Sequence, residues 1–167
     1  MHVRCVGAIV HDAEGRLLLI RRGHPPGEGL WSLPGGRVEA GESDAEAVAR
    51  ELAEETGLHV APGRLVGSVE RAGPAGVTYD IHDYAAVVTG GTLTPGDDAS
   101  DARWVTPDEL RRLPASTGLV ETLIRWRILP PVIDKSGEGP VLQGRDESGP
   151  RKGRPGTAGA PSNTKRS

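Results

Sequence analysis

Apolar runs along the chain predict the strands of a sheet. VRCVGAIVHD and RLLLIRR are both strand-like, and the turn-forming residues 12–15 between them predict a hairpin. Residues 64–71 and 78–89 predict two further strands, the second with mixed alternation. Short extended pieces are expected at 31–33 and at 102–105.

Helical spacing dominates between residues 43 and 57. Ser43 is a good N-cap, and Glu46 three residues later completes a capping box. Gly57 supplies the residue that commonly ends a helix in a left-handed conformation. The positions that recur at helical spacing, and that are expected to face the sheet, are Ala45, Val48, Ala49, Leu52 and Thr56.

Two shorter helices are predicted near the end of the folded part. Thr106 followed by Pro107 and two acids is typical of a helix start. Residues 116–129 carry an apolar stripe that predicts a final helix. Strands mixed with helices in this order predict an α+β fold in which a mixed sheet packs between helices.

Composition divides the chain near residue 130. Residues 131–167 contain 12 Gly or Pro among 37 positions and few apolar side chains, so a disordered, basic tail is expected after a folded domain of residues 1–130. A weak nucleic-acid or membrane tether through RKGR and KRS is the alternative. The domain itself is acidic, which argues against nucleic-acid binding.

The remaining composition limits the class of protein. Hydrophobic residues make up 36% and Phe is absent, so Val, Leu, Ile and Ala must build the core around three tryptophans. One cysteine excludes an intrachain disulfide and fits a reducing cytoplasm. No apolar run approaches the roughly 20 residues that span a bilayer. A cytoplasmic protein without a membrane partner is expected.

Three acids crowd the C-terminal end of the central helix. Glu51, Glu54 and Glu55 lie where the helix dipole disfavours negative charge, and they repel one another. A solvated surface face is the ordinary explanation for such residues. The Pro34–Gly36 loop before the helix favours another explanation, because glycine backbone can approach a ligand closely. Bound Mg²⁺ or Mn²⁺ would account for the crowding.

These residues also complete a known motif. Gly36, five residues, Glu42, seven residues and then RELAEETGL match every specified position of GX5EX7REUXEEXGU, where U is a bulky aliphatic residue. The chain thus resembles the Nudix hydrolases. The resemblance implies an α/β/α sandwich over roughly residues 1–130 and metal-dependent hydrolysis of a nucleoside diphosphate linked to another moiety.

The resemblance also implies roles for the motif residues. Glu51, Glu54 and Glu55 would bind Mg²⁺, or Mn²⁺ in its place, and the carbonyl of Gly35 is a further candidate ligand. Either Glu51 or Glu54 would orient or deprotonate the attacking water, and Arg50 would hold a glutamate in place. Gly36 and Glu42 are assigned to the substrate-binding surroundings, Glu42 also as an outer metal ligand.

Candidates outside the motif rest on weaker signals. Arg22 ends the second strand, where relatives often contact phosphate, and Arg37 follows the glycine pair. Asp97 and Asp98 lie in a loop where some relatives place an additional metal-binding acid, and Asp98 is the stronger candidate of the two. Asp83 and its neighbour His82 are expected to alternate along a strand on an open face.

The motif indicates the reaction and leaves the nucleotide substrate open. ADP-ribose or a related nucleotide sugar is slightly favoured, and a nucleoside triphosphate is the other option. LPASTGL lacks the Asn with which the 8-oxo-guanine branch contacts its base, which argues against that substrate. A nucleotide sensor without activity is the rival function, but such relatives usually lose motif glutamates. The sequence also allows a homodimer, for which it identifies no interface.

Overall fold

Seven strands and three α-helices form the part of the chain that this computed structural model describes, residues 1–96 and 98–132. A 3-10 turn at Pro74–Gly76 joins β5 to β6. The elements are β1 (His2–Val10), β2 (Leu17–Arg22), β3 (Trp31–Ser32), β4 (Gly35–Arg37), α1 (Asp44–Thr56), β5 (Leu58–Ala72), β6 (Thr78–Gly91), β7 (Ala99–Val105), α2 (Pro107–Arg112) and α3 (Leu119–Arg125).

The strands form two sheets. One has four strands in the order β4-β1-β6-β5, and it is mixed because β1 pairs with β6 in parallel while its other pairs are antiparallel. The other has three antiparallel strands in the order β3-β2-β7. The predicted mixed sheet with helices is therefore confirmed.

The predicted hairpin at residues 12–15 is right about the turn and wrong about the pairing. Asp12 Oδ1 accepts hydrogen bonds from the backbone N–H groups of Glu14 and Arg16 at 3.0 and 2.8 Å. Beyond the turn only His11 and Leu17 pair, as an isolated bridge. Residues 6–10 of β1 and 17–20 of β2 are buried on both faces, and each strand takes a central place in its own sheet.

Alternation along β1 and β2 divides most of their buried residues between two large core clusters, and Ile20 joins a smaller third one with Ala99 and Ala102. Val6, Ala8 and Leu18 pack with the buried side of α1. Ile9, Leu17 and Leu19 pack with Leu110 of α2 and Leu123 of α3. Helices thus cover both sides of the strands, as the predicted sandwich requires.

Helix α1 is rotated slightly from the predicted orientation. Val48, Leu52 and Thr56 are buried as expected, and so is Ala47, whereas Ala45 is exposed. The last helix is also shorter than the predicted span 116–129. Gly118 at φ 79° caps its start and Arg127 at φ 60° follows its end, and a left-handed residue interrupts helical geometry.

Strand β5 starts at Leu58, directly after α1, rather than at residue 64. Pro62 and Gly63 make the first half look like a loop, because Pro cannot donate to a sheet ladder. The structure accommodates them through a register shift between Pro62 and Leu65 on an edge strand. The tail predicted for 131–167 lies outside the described residues from residue 133 onward. In the described part, no helix is both long and apolar enough to cross a membrane.

Candidate active site

The glycine loop before α1 lies directly against its acids. The backbone N–H of Gly35 donates to Glu55 Oε2 at 2.8 Å. A side chain on Gly36 would overlap the Glu51 carboxylate, and one on Gly35 would overlap the carbonyl of Val6. Gly35 also has φ 154°, which L side chains rarely adopt. Only glycine lets this backbone reach the carboxylates.

The ends of α1 follow the local sequence. The Ser43 hydroxyl accepts from the Glu46 N–H at 3.2 Å, and Glu46 accepts from the Ser43 N–H at 2.8 Å, so the predicted capping box is confirmed. Gly57 ends the helix in the left-handed conformation at φ 71°. The last turn carries no basic residue of its own, so its acids depend on groups outside that turn for neutralisation.

Arg50 connects four neighbouring groups. Its Nε and Nη2 donate to the two oxygens of Glu42 at 2.8 and 3.0 Å. Nη1 donates to Glu51 at 2.9 Å and to Glu54 at 3.2 Å, while Nη2 also reaches the carbonyl of Arg37 at 3.0 Å. Glu42 first, and then Glu51, raise the pKa of Arg50, so the guanidinium is a permanent charge that ties α1 to the loop before it.

Glu55 differs from the other acids in its burial. It is 7% exposed, and burial raises its pKa to about 8, with the charges of Glu51 and Asp98 acting in the same direction. The Gly35 N–H and the Arg22 charge oppose this rise. Burial also raises the pKa of Glu51, against the effect of Arg50. Burial is the main cause for both carboxyls, so a cation bound beside them would favour their ionised forms.

The donor set fits a hard divalent cation. Glu51, Glu54 and Glu55 present carboxylate oxygens within two helical turns, the ligand type that Mg²⁺ and Mn²⁺ prefer. Across residues 1–96 and 98–132, however, no three acidic, His or Cys side chains already converge as in a formed metal site. Arg50 and the Gly35 N–H hold the three carboxylates instead. Metal binding would require them to exchange these partners.

A cavity of about 720 Å³ opens beside the glycine loop. Its lining includes four of the predicted site residues, Arg22, Gly35, Gly36 and Arg37. Arg22 Nε donates to the carbonyl of Pro26 at 2.7 Å. Arg37 donates to the Tyr79 hydroxyl at 3.2 Å and lies 5.6 Å from its ring centre. Two arginines thus line the cavity, and the charge of Arg22 acts on Glu55.

The other predicted site residues that the structure describes lie outside the cavity lining. Glu42 contacts Arg50 and does not belong to the cavity lining. Asp98 is largely exposed, with Oδ1 4.0 Å from His24 Nε2, and its charge acts on both Glu51 and Glu55. It therefore lies at the margin of the acidic cluster. Asp97 lies outside the described residues.

Comparison with known proteins identifies the family. The NUDIX domain model matches residues 1–126. The chain belongs to the Nudix family. It is 36% identical over 119 residues to an ADP-ribose pyrophosphatase from Methanocaldococcus jannaschii, covering 70% of each chain. It is 39% identical over 102 residues to an 8-oxo-(d)GTP phosphatase from Mycolicibacterium smegmatis, covering 61% of this chain and 30% of that longer protein.

Solved structures agree with this assignment. The crystal structure of a MutT protein from Methanosarcina mazei superposes with a TM-score of 0.68 at 25% identity, covering 75% of this chain and 93% of that one. Fold and family predictions are both confirmed, and the chain is a Nudix hydrolase.

Sequence reasoning misplaced one residue of this Nudix hydrolase. Asp83 was expected on an open strand face, but it is 5% exposed and lines the cavity. Its alternation with Tyr79 and Ile81, which line the same cavity, was a usable signal. Gly7, within the aliphatic run of residues 6–10, was another. Ser116 and Thr117 also line the cavity, from the segment that precedes α3.

Proposed function

We propose that this Nudix hydrolase cleaves the pyrophosphate bond of a nucleoside diphosphate linked to another moiety. The names of its relatives support two substrate groups, ADP-ribose and oxidised guanine nucleoside triphosphates. The cavity volume suits a nucleotide, since small-molecule sites commonly enclose about 300–1,000 Å³.

One observation carries the proposal. Two carboxylates of α1, Glu51 and Glu55, contact the Gly35–Gly36 backbone, and that backbone lines the cavity. A cation held by these acids would lie at the edge of the space that a nucleotide would fill. A solvated surface face does not account for a glutamate that is 7% exposed and paired with a loop N–H.

Mg²⁺ would be held by Glu51, Glu54 and Glu55, and Mn²⁺ would satisfy the same ligands. The Gly35 carbonyl and Asp98 are further candidate ligands. When bound, the ion supplies electrostatic stabilisation of phosphate charge and a lower pKa for bound water. The raised pKa values of Glu51 and Glu55 come chiefly from burial, and they support the assignment because a bound cation would offset the cost of burying ionised carboxylates.

The chain's own residues then have separate roles. Arg50 holds Glu51 and Glu54, one of which orients the attacking water or takes its proton. Arg22 and Arg37 line the cavity and present guanidinium groups, which suit phosphate oxygens. Gly36 admits substrate close to the backbone, and Glu42 fixes Arg50 through two hydrogen bonds.

The test is product release with Mg²⁺ from a panel of GTP, ATP, 8-oxo-dGTP and ADP-ribose. We expect cleavage of at least one nucleotide, dependence on the cation, and loss of activity in Glu55→Gln. Glu70→Gln is the matched control, because Glu70 is an exposed acid of β5 that does not itself line the cavity. Nucleotide binding without any product would instead indicate a sensor. A cytoplasmic location and a homodimer stay predictions of the sequence.

A further inference from the structure

Asp83 is a buried acid in the wall of the cavity. It lies on β6, where it is 5% exposed, and it forms a register pair with Gly7 of β1. No hydrogen bond from residues 1–96 or 98–132 stabilises its carboxylate, whose surroundings include only the more distant charges of Arg71 and His82. Asp83 lines the cavity, so a carboxylate this enclosed and without a protein donor is open to donors from a bound ligand.

Gly7 leaves room for this carboxylate. A side chain at Gly7 would overlap Asp83 Oδ1. Gly7 does not have a positive φ, so its backbone conformation does not require glycine. Glycine inside a strand weakens it and often marks the close approach of another group. The pair Gly7 and Asp83 therefore forms a niche in the cavity wall.

The niche lies in line with the acidic cluster. Gly35, Gly7 and Asp83 are register partners on three neighbouring strands, and the Gly35 N–H contacts Glu55. Strands lie about 4.8 Å apart, so the backbone of Asp83 is about 10 Å from that of Gly35 across the sheet, and the Asp83 carboxylate leans from there over Gly7. A nucleotide whose phosphates lie at the glycine loop can extend its base to Asp83.

The walls around the niche suit a base. Val69, Ile81 and Trp126 line the same cavity, and apolar and aromatic side chains stack on flat rings. An ionised carboxylate is an acceptor only. Burial raises the pKa of Asp83 to about 6, which leaves it ionised in most molecules at pH 7.5.

We infer that Asp83 determines base specificity by accepting hydrogen bonds from two adjacent N–H donors of the nucleobase, the edge that guanine presents through N1 and its 2-amino group. This inference rests on the proposed function, since it places the phosphates at the glycine loop. Adenine presents one acceptor and one donor on that edge and so matches an ionised carboxylate poorly. Hypoxanthine keeps N1–H and lacks the 2-amino group.

Binding of nucleoside monophosphates to the full chain tests the inference without turnover. Calorimetry with GMP, IMP and AMP should show affinities in that order, with GMP about 10- to 100-fold tighter than AMP. dGMP should bind like GMP. The inference would be overturned by equal affinity for GMP and AMP, or by no binding of any of the nucleotides. It would also be overturned if affinity depended on the 2′-hydroxyl instead of the base.

Asp83→Asn adds a second measurement, because an amide presents one donor and one acceptor in the same shape. We expect GMP affinity to fall about 10- to 100-fold and AMP affinity to hold or rise. Asp80→Asn is the matched control on the same strand, where Asp80 contacts Arg4 instead of the cavity. An unchanged GMP-to-AMP ratio in Asp83→Asn contradicts the inference.

The two proposals fail in different ways. Guanine preference without hydrolysis of any nucleotide would retain the role of Asp83 and remove the proposed activity. Hydrolysis of ATP and GTP with equal kcat/KM, unchanged by Asp83→Asn, would retain the activity and remove the role of Asp83. If Asp83→Asn does not fold, the affinities of the unmodified chain for GMP, IMP and AMP decide the test.

Discussion

At the scale of single residues, the acids of α1 differ in their surroundings. Glu55 is buried against the glycine loop, Glu51 is half-buried beside Gly36, and Glu54 is exposed and reaches Arg50. Glu42 contacts Arg50 from outside the helix. These differences give each acid its own expected effect on activity.

Removing Glu54 or Glu55 should cost more activity than removing Glu42. Glu54→Gln and Glu55→Gln each delete a proposed metal ligand, so we expect kcat/KM to fall about 100-fold or more. Glu42→Gln only weakens the support of Arg50, and the loss should be nearer 10-fold. Steady-state kinetics with Mg²⁺ measures this, and near-normal rates in both the Glu54 and Glu55 variants would contradict the metal assignment.

Metal-free protein should lose stability as pH rises. The pKa of Glu55 is raised to about 8 and that of Asp83 to about 6, so the folded state holds protons that the unfolded chain has already released. The stability that these two groups contribute is therefore full below about pH 4 and is lost as pH rises, up to about 6 for Asp83 and about 8 for Glu55.

Melting temperature in EDTA between pH 5 and 9 measures this decline. Glu55→Gln should abolish the decline in melting temperature between about pH 6 and 8 and keep the decline below about pH 6 that Asp83 causes. A melting temperature that rises between pH 6 and 8 would show that Glu55 is ionised in the folded protein.

At the scale of elements, the glycine loop and α1 act as one unit. The Gly35–Gly36 backbone contacts Glu51 and Glu55, and Arg50 returns to the carbonyl of Arg37 in β4. The helix supplies the carboxylates and the loop determines where they lie.

Gly36→Ala should therefore reduce activity more than stability. The added methyl group meets the end of the flexible Glu51 side chain instead of backbone, so the carboxylate moves while the fold persists. We expect about a 10- to 100-fold loss of kcat/KM, as for displaced supporting groups. Gly90→Ala is the matched control, since a methyl group there meets open space. Kinetics and thermal melting of both variants separate the two effects.

At the scale of the whole molecule, the folded domain was predicted to end near residue 130. The NUDIX match ends at residue 126, but Leu129 lies beyond it and is buried in the core, where it is 4% exposed. Helix α3 and the residues just after it thus complete one side of the sandwich and part of the cavity wall.

A chain ending at Pro131 should keep its melting temperature and its kcat/KM. A chain ending at Arg127 loses Leu129 from the core and should be destabilised by about 2–5 kcal/mol, as for deletion of a buried Leu side chain. Chemical unfolding of both truncated chains measures the difference. If the chain ending at Pro131 is less stable or less active than the full chain, residues 132–167 have a role in the domain.

Sequence alone determined the chemistry of the central helix. Its capping box, its terminal glycine and its crowded acids depend on spacing within a single helix, so they follow from residues 43–57 without knowledge of the rest. The same local pattern carries the family motif, which is why the α/β/α fold and the hydrolase assignment were predictable.

Only the tertiary structure decided the strand partners of β1 and β2, the burial of Glu55 and the niche at Asp83. Each depends on which distant segments meet. Gly7 makes room for Asp83 because β1 pairs with β6, and Gly35 reaches Glu55 because β4 pairs with β1. Alternation shows that side chains share a face of a strand, but the partner strand determines whether that face meets water, a core or a ligand.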